Sequence, residues 1–379
     1  MLQGGQETVG SGRLVLAMNT DIQARASRFN VFPATEYDQY VAGHSQATPY
    51  HSSAWLQATE SAYGHTGWLI TLHHNGILCG VLPLVEVKPP IGAESLVSLP
   101  FCDLGGVLAD NADIREHLIA EAKILAKTNR IKTLEIRDGG DVLETGETLE
   151  GLPAHTKVRM LCELPESSEA LFKSYKPKLR SQIRKAEKNG LRAELLTAPD
   201  SVNLFYNVFT QNMRRLGSPV HSLQWFQDLK AAYGDHMLIS VVFQGDKPVG
   251  AGIVLLGGKQ ACIPWASTLE EFNRLAPNML LYWSLLSHVC DLGYTLFDFG
   301  RSTLGEGTYR FKKQWGAEPY KLVWTEYHSG EQNPTGLDTS GNGAPRASRL
   351  RPVIENIWRR LPLPFANWLG PKLRRYITL

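Results

Sequence analysis

Cysteine, long apolar runs and net charge are all scarce in this sequence, and each shortage excludes something. The five cysteines, Cys79, Cys102, Cys162, Cys262 and Cys290, are far apart and odd in number. No Cys-x-x-Cys or Cys/His ligand spacing occurs, so neither a disulfide framework nor a metal site is expected. No stretch approaches the ~18 consecutive apolar residues of a membrane span. The first twenty residues lack a basic segment followed by a long apolar core and do not read as a secretory signal. A reducing, cytoplasmic setting is therefore expected, with the inner face of the cytoplasmic membrane as a surface within reach. The formal charge of +2 says little by itself, because the basic residues are unevenly spread.

What is present is a globular composition, 43% hydrophobic and 20% charged. At roughly 150 residues per domain, 379 residues suggest two domains. Residues 1–27 are Gly-, Gln- and Ser-rich and read as a loosely ordered arm. Within 28–163, Ser53 to Tyr63 reads as a helix capped by Ser52 or Ser53. Asn75-Gly76 between two apolar runs is a strong hairpin signal. Further strand around SLVSLPFCDLGGVL, a helix from Ile114 to Thr128 and strands at Ile131 and Lys157 follow, with Asp138 to Pro153 as a glycine-rich acidic connection. Within 164–328 the same grammar recurs. Helix runs from Glu166 to Asn189, broken at Pro177; two more helices end at Leu216 and Tyr233. A hairpin around Gln244 to Lys247, a third strand, an apolar helix from Pro277 and a final strand complete the set. Two such units make an α+β chain with an internal duplication. Residues 329–345 form a Gly/Ser/Asn/Pro linker. Residues 346–379 are a basic tail with Trp358, Phe365 and Trp368, suited to an anionic membrane surface or, alternatively, to folding back on the protein itself.

Three stretches could carry chemistry. LFDFGRSTLGEGTYRFKKQWG, from Leu296, reads as a buried strand, a polar turn and a short helix ended by Gly316. Such a junction places side chains beyond the carboxyl end of a strand, where α/β sheets bind ligands. In FKSYKPKLRSQIRKAEKNGLR, Arg180, Arg184 and Lys188 fall on one helical stripe beside Lys185, facing a single acid, Glu187. That stripe suits phosphates, or else is merely a solvated face. In RRLGSPVHS, His221 is a conceivable general base without a visible partner.

Together, RSQIRKAEKNG, RRLGSPVHS and FDFGRS…YRFKKQWG resemble the FemAB-related branch of the GNAT-like acyltransferases, in particular the FemAB-type proteins of exosortase/PEP-CTERM exopolysaccharide systems. The resemblance covers about Phe29 to Tyr327. It implies two tandem GNAT-like domains, each a mostly antiparallel sheet flanked by helices. It further implies transfer of an aminoacyl or acyl group to an amine of a cell-envelope, peptidoglycan or exopolysaccharide precursor. The Phe-Lys pair of the family motif matches Phe311 and Lys312, implying Lys312 as oxyanion stabiliser and Phe311 as a dry wall beside it. The choice of Lys312 over Lys313 rests on that match.

Arg180, Arg184, Lys185 and Lys188 are then the donor-binding candidates, and Arg301, Ser302, Tyr309 and His221 the acceptor-binding ones. No permanently bound cofactor is expected; the donor is aminoacyl-tRNA or acyl-CoA. Against CoA, the junction ASTLEEFNRLAPN has no glycine for a pyrophosphate turn, though Arg274 and Asn278 could touch a donor phosphate; capping is the plainer role for Asn278. Against tRNA, the charged coiled-coil arm of several Fem proteins has no counterpart. The rival readings are a CoA-dependent N-acetyltransferase acting on a nucleotide sugar, and a non-catalytic RNA-binding or scaffold protein.

Overall fold

A computed structural model describes residues 22–143, 156–198, 200–328 and 347–378. The first half runs β1 (Ile22–Arg28), α1 (Ala34–Gly43), α2 (Ser53–Tyr63), β2 (Thr66–His74) and β3 (Ile77–Val87). It continues through β4 (Ser95–Val97), the short β5 (Leu108–Ala109), α3 (Ala112–Thr128) and β6 (Thr133–Val142). Next come β7 (Lys157–Glu163), α4 (Ser168–Ser174), α5 (Pro177–Lys188), β8 (Leu191–Leu196), α6 (Ser201–Leu216) and α7 (Leu223–Tyr233). The second half then runs β9 (Met237–Gln244), β10 (Lys247–Gly257), β11 (Gln260–Thr268), α8 (Pro277–Asp291), β12 (Leu296–Thr303), α9 (Gly307–Lys313) and β13 (Glu318–His328). Two tail helices follow, α10 (Ala347–Arg360) and α11 (Leu363–Arg374).

All strands join one 13-stranded sheet, ordered β1-β2-β3-β4-β6-β13-β7-β12-β11-β10-β9-β8, with β5 beside β3. The order is two six-stranded units placed back to back. Each unit has antiparallel strands and one parallel pair, β4 with β6 and β11 with β12. Helices α3 and α8 supply the crossovers that parallel neighbours need. This is the mixed α+β tandem architecture expected.

The units exchange strands at the seam. β7 follows the first unit in sequence yet pairs with β12, while β13 follows the second yet pairs with β6. β7 and β13 also pair with each other, so the sheet is unbroken. No sheet boundary falls at residue 163.

Local pattern sets the helices. On α6, Val202, Phe205, Val208 and Phe209 are buried at helical spacing, each stabilising the core by about 1.5–3 kcal/mol. On α5, Leu179, Ile183 and Ala186 are buried, which turns the basic residues outward. Ser52 and Asn111 cap α2 and α3 by accepting from Ala54 N and Ile114 N.

Two expectations are corrected, and two points left open are decided. Residues 22–27 leave the arm, because β1 pairs with β2 from Ile22↔His74 to Arg28↔Trp68. Residues 138–142 belong to β6, held by β13, and not to a connection. Leu191–Leu196 is an edge strand, made regular only by its pairing with β9. The tail folds back: Trp358 and Ala366 are buried, and Arg214 Nη1 donates to Leu361 O at 3.1 Å. Residues 1–21 and the linker 329–345 lie outside the described residues.

Candidate active site

β11 and β12 are registered only at Gln260↔Leu296, Ala261↔Phe297 and Cys262↔Asp298. Beyond that they part, opening a wedge at their carboxyl ends. A cavity of about 420 Å³ occupies the wedge, bordered by Pro264 to Ser267 on β11 and Phe299 to Arg301 on β12. Lys312 from α9, His221, Asp103 and, from the tail, Arg374 also border it.

The β12 side is shaped by a bulge between Asp298 and Arg301. Gly300 sits in it at φ +72°, a conformation that side chains disfavour. Asp298 holds the bulge, accepting from Gly300 N at 2.7 Å and from Arg159 Nε at 2.7 Å. The bulge turns two carbonyls toward α9. Lys312 Nζ donates to Gly300 O at 3.1 Å and to Arg301 O at 2.8 Å. An ammonium has three protons, so one is left for the cavity. Lys312 is 8% exposed. Burial lowers it to about 8, with Arg301 acting in the same direction and Asp103 and Asp298 opposing. At neutral pH it is still a cation.

Around that cation the side chains are fixed. Asp103 accepts from Arg301 N at 3.1 Å and pairs with Arg301 Nε at 3.4 Å. The Arg301 guanidinium lies 5.3 Å from the Trp324 ring. His221 is 1% exposed, and burial pushes it well below its usual range, helped by Arg374. Its Nδ1 is 2.7 Å from Tyr63 Oη, which also accepts from Ser222 N at 3.3 Å. A tyrosine proton pointing to Nδ1 would leave the imidazole's own proton on Nε2. Nε2 has no partner among the described residues. His221 is therefore a buried, neutral imidazole at the cavity wall, oriented by Tyr63. Tyr63, remote in sequence, is the orienting group that sequence reading lacked.

Residues 173–322 match the acetyltransferase (GNAT) domain model. The solved structure of FemX matches at TM-score 0.64 and 15% identity, over 78% of this chain and 96% of FemX.

Residues 173–322 carry the sequence pattern of an acetyltransferase (GNAT) domain.

Over 78% of its length the chain has the FemX fold, the fold that the FemAB resemblance implied. A tandem GNAT protein from the clavulanic acid biosynthesis pathway aligns at TM-score 0.49 and 14% identity, over 82% of this chain and 100% of that one. The C-terminal domain of a putative lysylphosphatidylglycerol synthetase from Agrobacterium fabrum aligns at 0.48 and 10%, over 78% and 91%. No curated protein matches the chain.

In the GNAT domain, Lys312, Arg301 and His221 come together at the cavity. Lys313 instead pairs with Glu318 at 2.6 Å. Phe311, Ser302 and Tyr309 do not border the cavity. The dry wall beside Lys312 is Tyr282, stacked on Phe299 at 5.7 Å; Phe311 lies behind it, edge-on to Tyr282 at 4.9 Å. Ser302 is buried with Oγ unpartnered among the described residues, and Tyr309 packs against the second-half core. Arg184, Lys185 and Lys188 are exposed on α5 and Arg180 is half-buried, all outside the cavity. Asn189, at the end of α5, does reach the turn before α8, donating to Leu275 O at 3.3 Å. Arg274 is exposed in that turn. Asn278 is not the cap of α8: Ala276, at φ +65°, takes that position before Pro277.

Asp103, Tyr282 and Arg374 went unnoticed in the sequence. An acid inside the apolar FCDLGG segment was a signal for Asp103. Arg374 gave none, since its place depends on how the tail docks.

Proposed function

We propose that this chain transfers an aminoacyl or acyl group to an amine on a cell-envelope or exopolysaccharide-linked precursor. The observation that carries the reading is the Lys312 ammonium, buried at the mouth of the β11/β12 wedge with one proton free for a ligand. The amine nitrogen attacks the acyl carbonyl, and the developing oxyanion lies against Lys312 Nζ, with the His221 Nε2 proton as a second donor. The amide bond forms as the donor's C–O or C–S bond breaks, and an amine proton ends on the departing oxygen or sulfur. Tyr282 and Phe299 keep that face dry, which strengthens the electrostatic effect. Arg301, oriented by Asp103, faces the acceptor.

The donor is aminoacyl-tRNA or acyl-CoA, its phosphates held by Arg180, Arg184, Lys185 and Lys188. In support, no ion pair engages these four among the described residues, and Asn189 brings their helix beside the start of α8. The acetyltransferase family match favours the second reading, a CoA-dependent N-acetyltransferase.

Titration of the purified protein with charged tRNA and with acetyl-CoA, at fixed low salt, separates the readings. Saturable tRNA binding, lost in Arg184→Glu, supports aminoacyl transfer. Tight acetyl-CoA binding without tRNA preference supports the acetyltransferase. If neither donor binds, the catalytic reading fails and the scaffold reading takes its place.

A further inference from the structure

The tail has two faces, and only one is used by the protein. Its inner face is fitted closely to α6 and to the segment after it. Trp358, Ala366 and Gly370 are buried there. Gly217, at φ +82°, leaves no room for a Cβ, which would stand 2.7 Å from Glu355 O. Beyond α11, Thr378 O accepts from Phe101 N at 2.6 Å and from Arg137 Nη1 at 3.0 Å. The tail is therefore a docked part of the body.

Its outer face is apolar and uncovered. Val353, Ile354 and Ile357 on α10 are 54–58% exposed, and Phe365 and Trp368 on α11 are 46% and 57% exposed. Of the thirteen large hydrophobic side chains exposed among the described residues, seven lie in this tail. Such a concentration marks an interaction surface, whereas scattered exposed leucines do not. The charge around it has one sign. From Arg346 to Leu379 the sequence holds eight basic residues and one acid, Glu355. Arg359, Arg360 and Lys372 are exposed beside the apolar side chains, and Lys372 Nζ lies 3.6 Å from the Trp368 ring centre.

We infer that this face docks the protein on an anionic lipid bilayer. Aliphatic and aromatic side chains enter the headgroup–acyl boundary while arginine and lysine meet lipid phosphates, the usual design of an interfacial amphipathic helix. A protein groove would need matching acids and a shaped partner. A bilayer needs only apolar area bordered by positive charge, and both are present. No described helix is long and apolar enough to cross a membrane, so the docking is peripheral. Because Arg374, on the inner side of the same helix, borders the cavity, docking would set the cavity about one helix diameter from the lipid surface. The inference stands apart from acyl transfer, since lipid binding is measured without donor or acceptor.

The test is co-sedimentation of the full chain with vesicles of phosphatidylglycerol and phosphatidylcholine, against pure phosphatidylcholine, at low and high salt. The expected result is binding to the anionic vesicles that weakens with salt and falls at least 10-fold in Phe365→Ala/Trp368→Ala. Charge reversal in Arg359→Glu/Arg360→Glu/Lys372→Glu should lower it similarly. All five side chains are exposed, and an unchanged thermal transition shows that the variants fold. No binding to anionic vesicles, or binding unaffected by either variant, overturns the inference. So does dimerisation through this face without lipid binding, which would make a second copy its occupant.

Discussion

Lys312 donates to the carbonyl oxygen of Arg301 at 2.8 Å, across the β12 bulge that holds Gly300 at φ +72°. One hydrogen bond thus couples the cation on α9 to the strand end that forms the cavity wall. Lys312→Met keeps the length and apolar stem while removing the charge. Transfer should fall by roughly 10²–10³-fold while the fold holds, because an unpaired cation is no longer buried. Steady-state rates beside a thermal melt check both halves.

The pH dependence of activity and of stability should have opposite signs. Burial lowers Lys312 to about 8 from the ordinary 10.5. An ammonium acting as oxyanion donor makes the rate fall as pH rises through 8; a lysine base would make it rise. Between pH 8 and 10.5 the unfolded chain binds the proton that the folded chain has released. Stability relative to Lys312→Met should therefore rise across that window, by roughly 3 kcal/mol in all. Denaturant titrations at several pH values, run on both proteins, measure it.

Asp103 pulls the Lys312 titration upward. In Asp103→Asn the alkaline limb of the pH–rate profile should move to lower pH, and the Arg301 side chain should lose its partner. A change in rate with an unmoved limb would mean that Asp103 serves only the loop.

His221 is held neutral by burial. The rate should show no inflection near pH 6.5, and Tyr63→Phe should lower it by about 10-fold through loss of orientation, within the span of one hydrogen bond. His221→Phe should lower it further. An inflection near pH 6.5 that vanishes in His221→Phe would instead mark a titrating base.

Gly370 lies against Val220, where a Cβ would stand 3.0 Å from backbone N. Gly370→Val should lower stability by about 1–3 kcal/mol and loosen α11, raising KM as Arg374 leaves the cavity. Thermal unfolding and limited proteolysis of the tail report the two effects.

Locally encoded features were legible in the sequence. The Asn75-Gly76 turn, α2, the break at Pro177 and the strand–turn–helix after Leu296 all follow from residues close together in the chain. Partner choice was not legible. The exchange of β7 and β13, the pairing that makes β8 a strand and the return of the tail all depend on contacts more than a hundred residues apart or on a neighbouring strand's edge. The same limit applies at the site. Adjacent lysines look alike until Glu318 takes Lys313, and Phe311 looks like the wall until Tyr282 stands in front of it.

The most direct measurement is amide formation, followed by mass spectrometry, when the purified chain meets charged tRNA or acetyl-CoA and a panel of amine-bearing envelope precursors. Acyl transfer through Lys312 predicts an amide product from the unmodified chain and at least a 100-fold slower rate for Lys312→Met, with donor binding intact. An undiminished rate in Lys312→Met would contradict it.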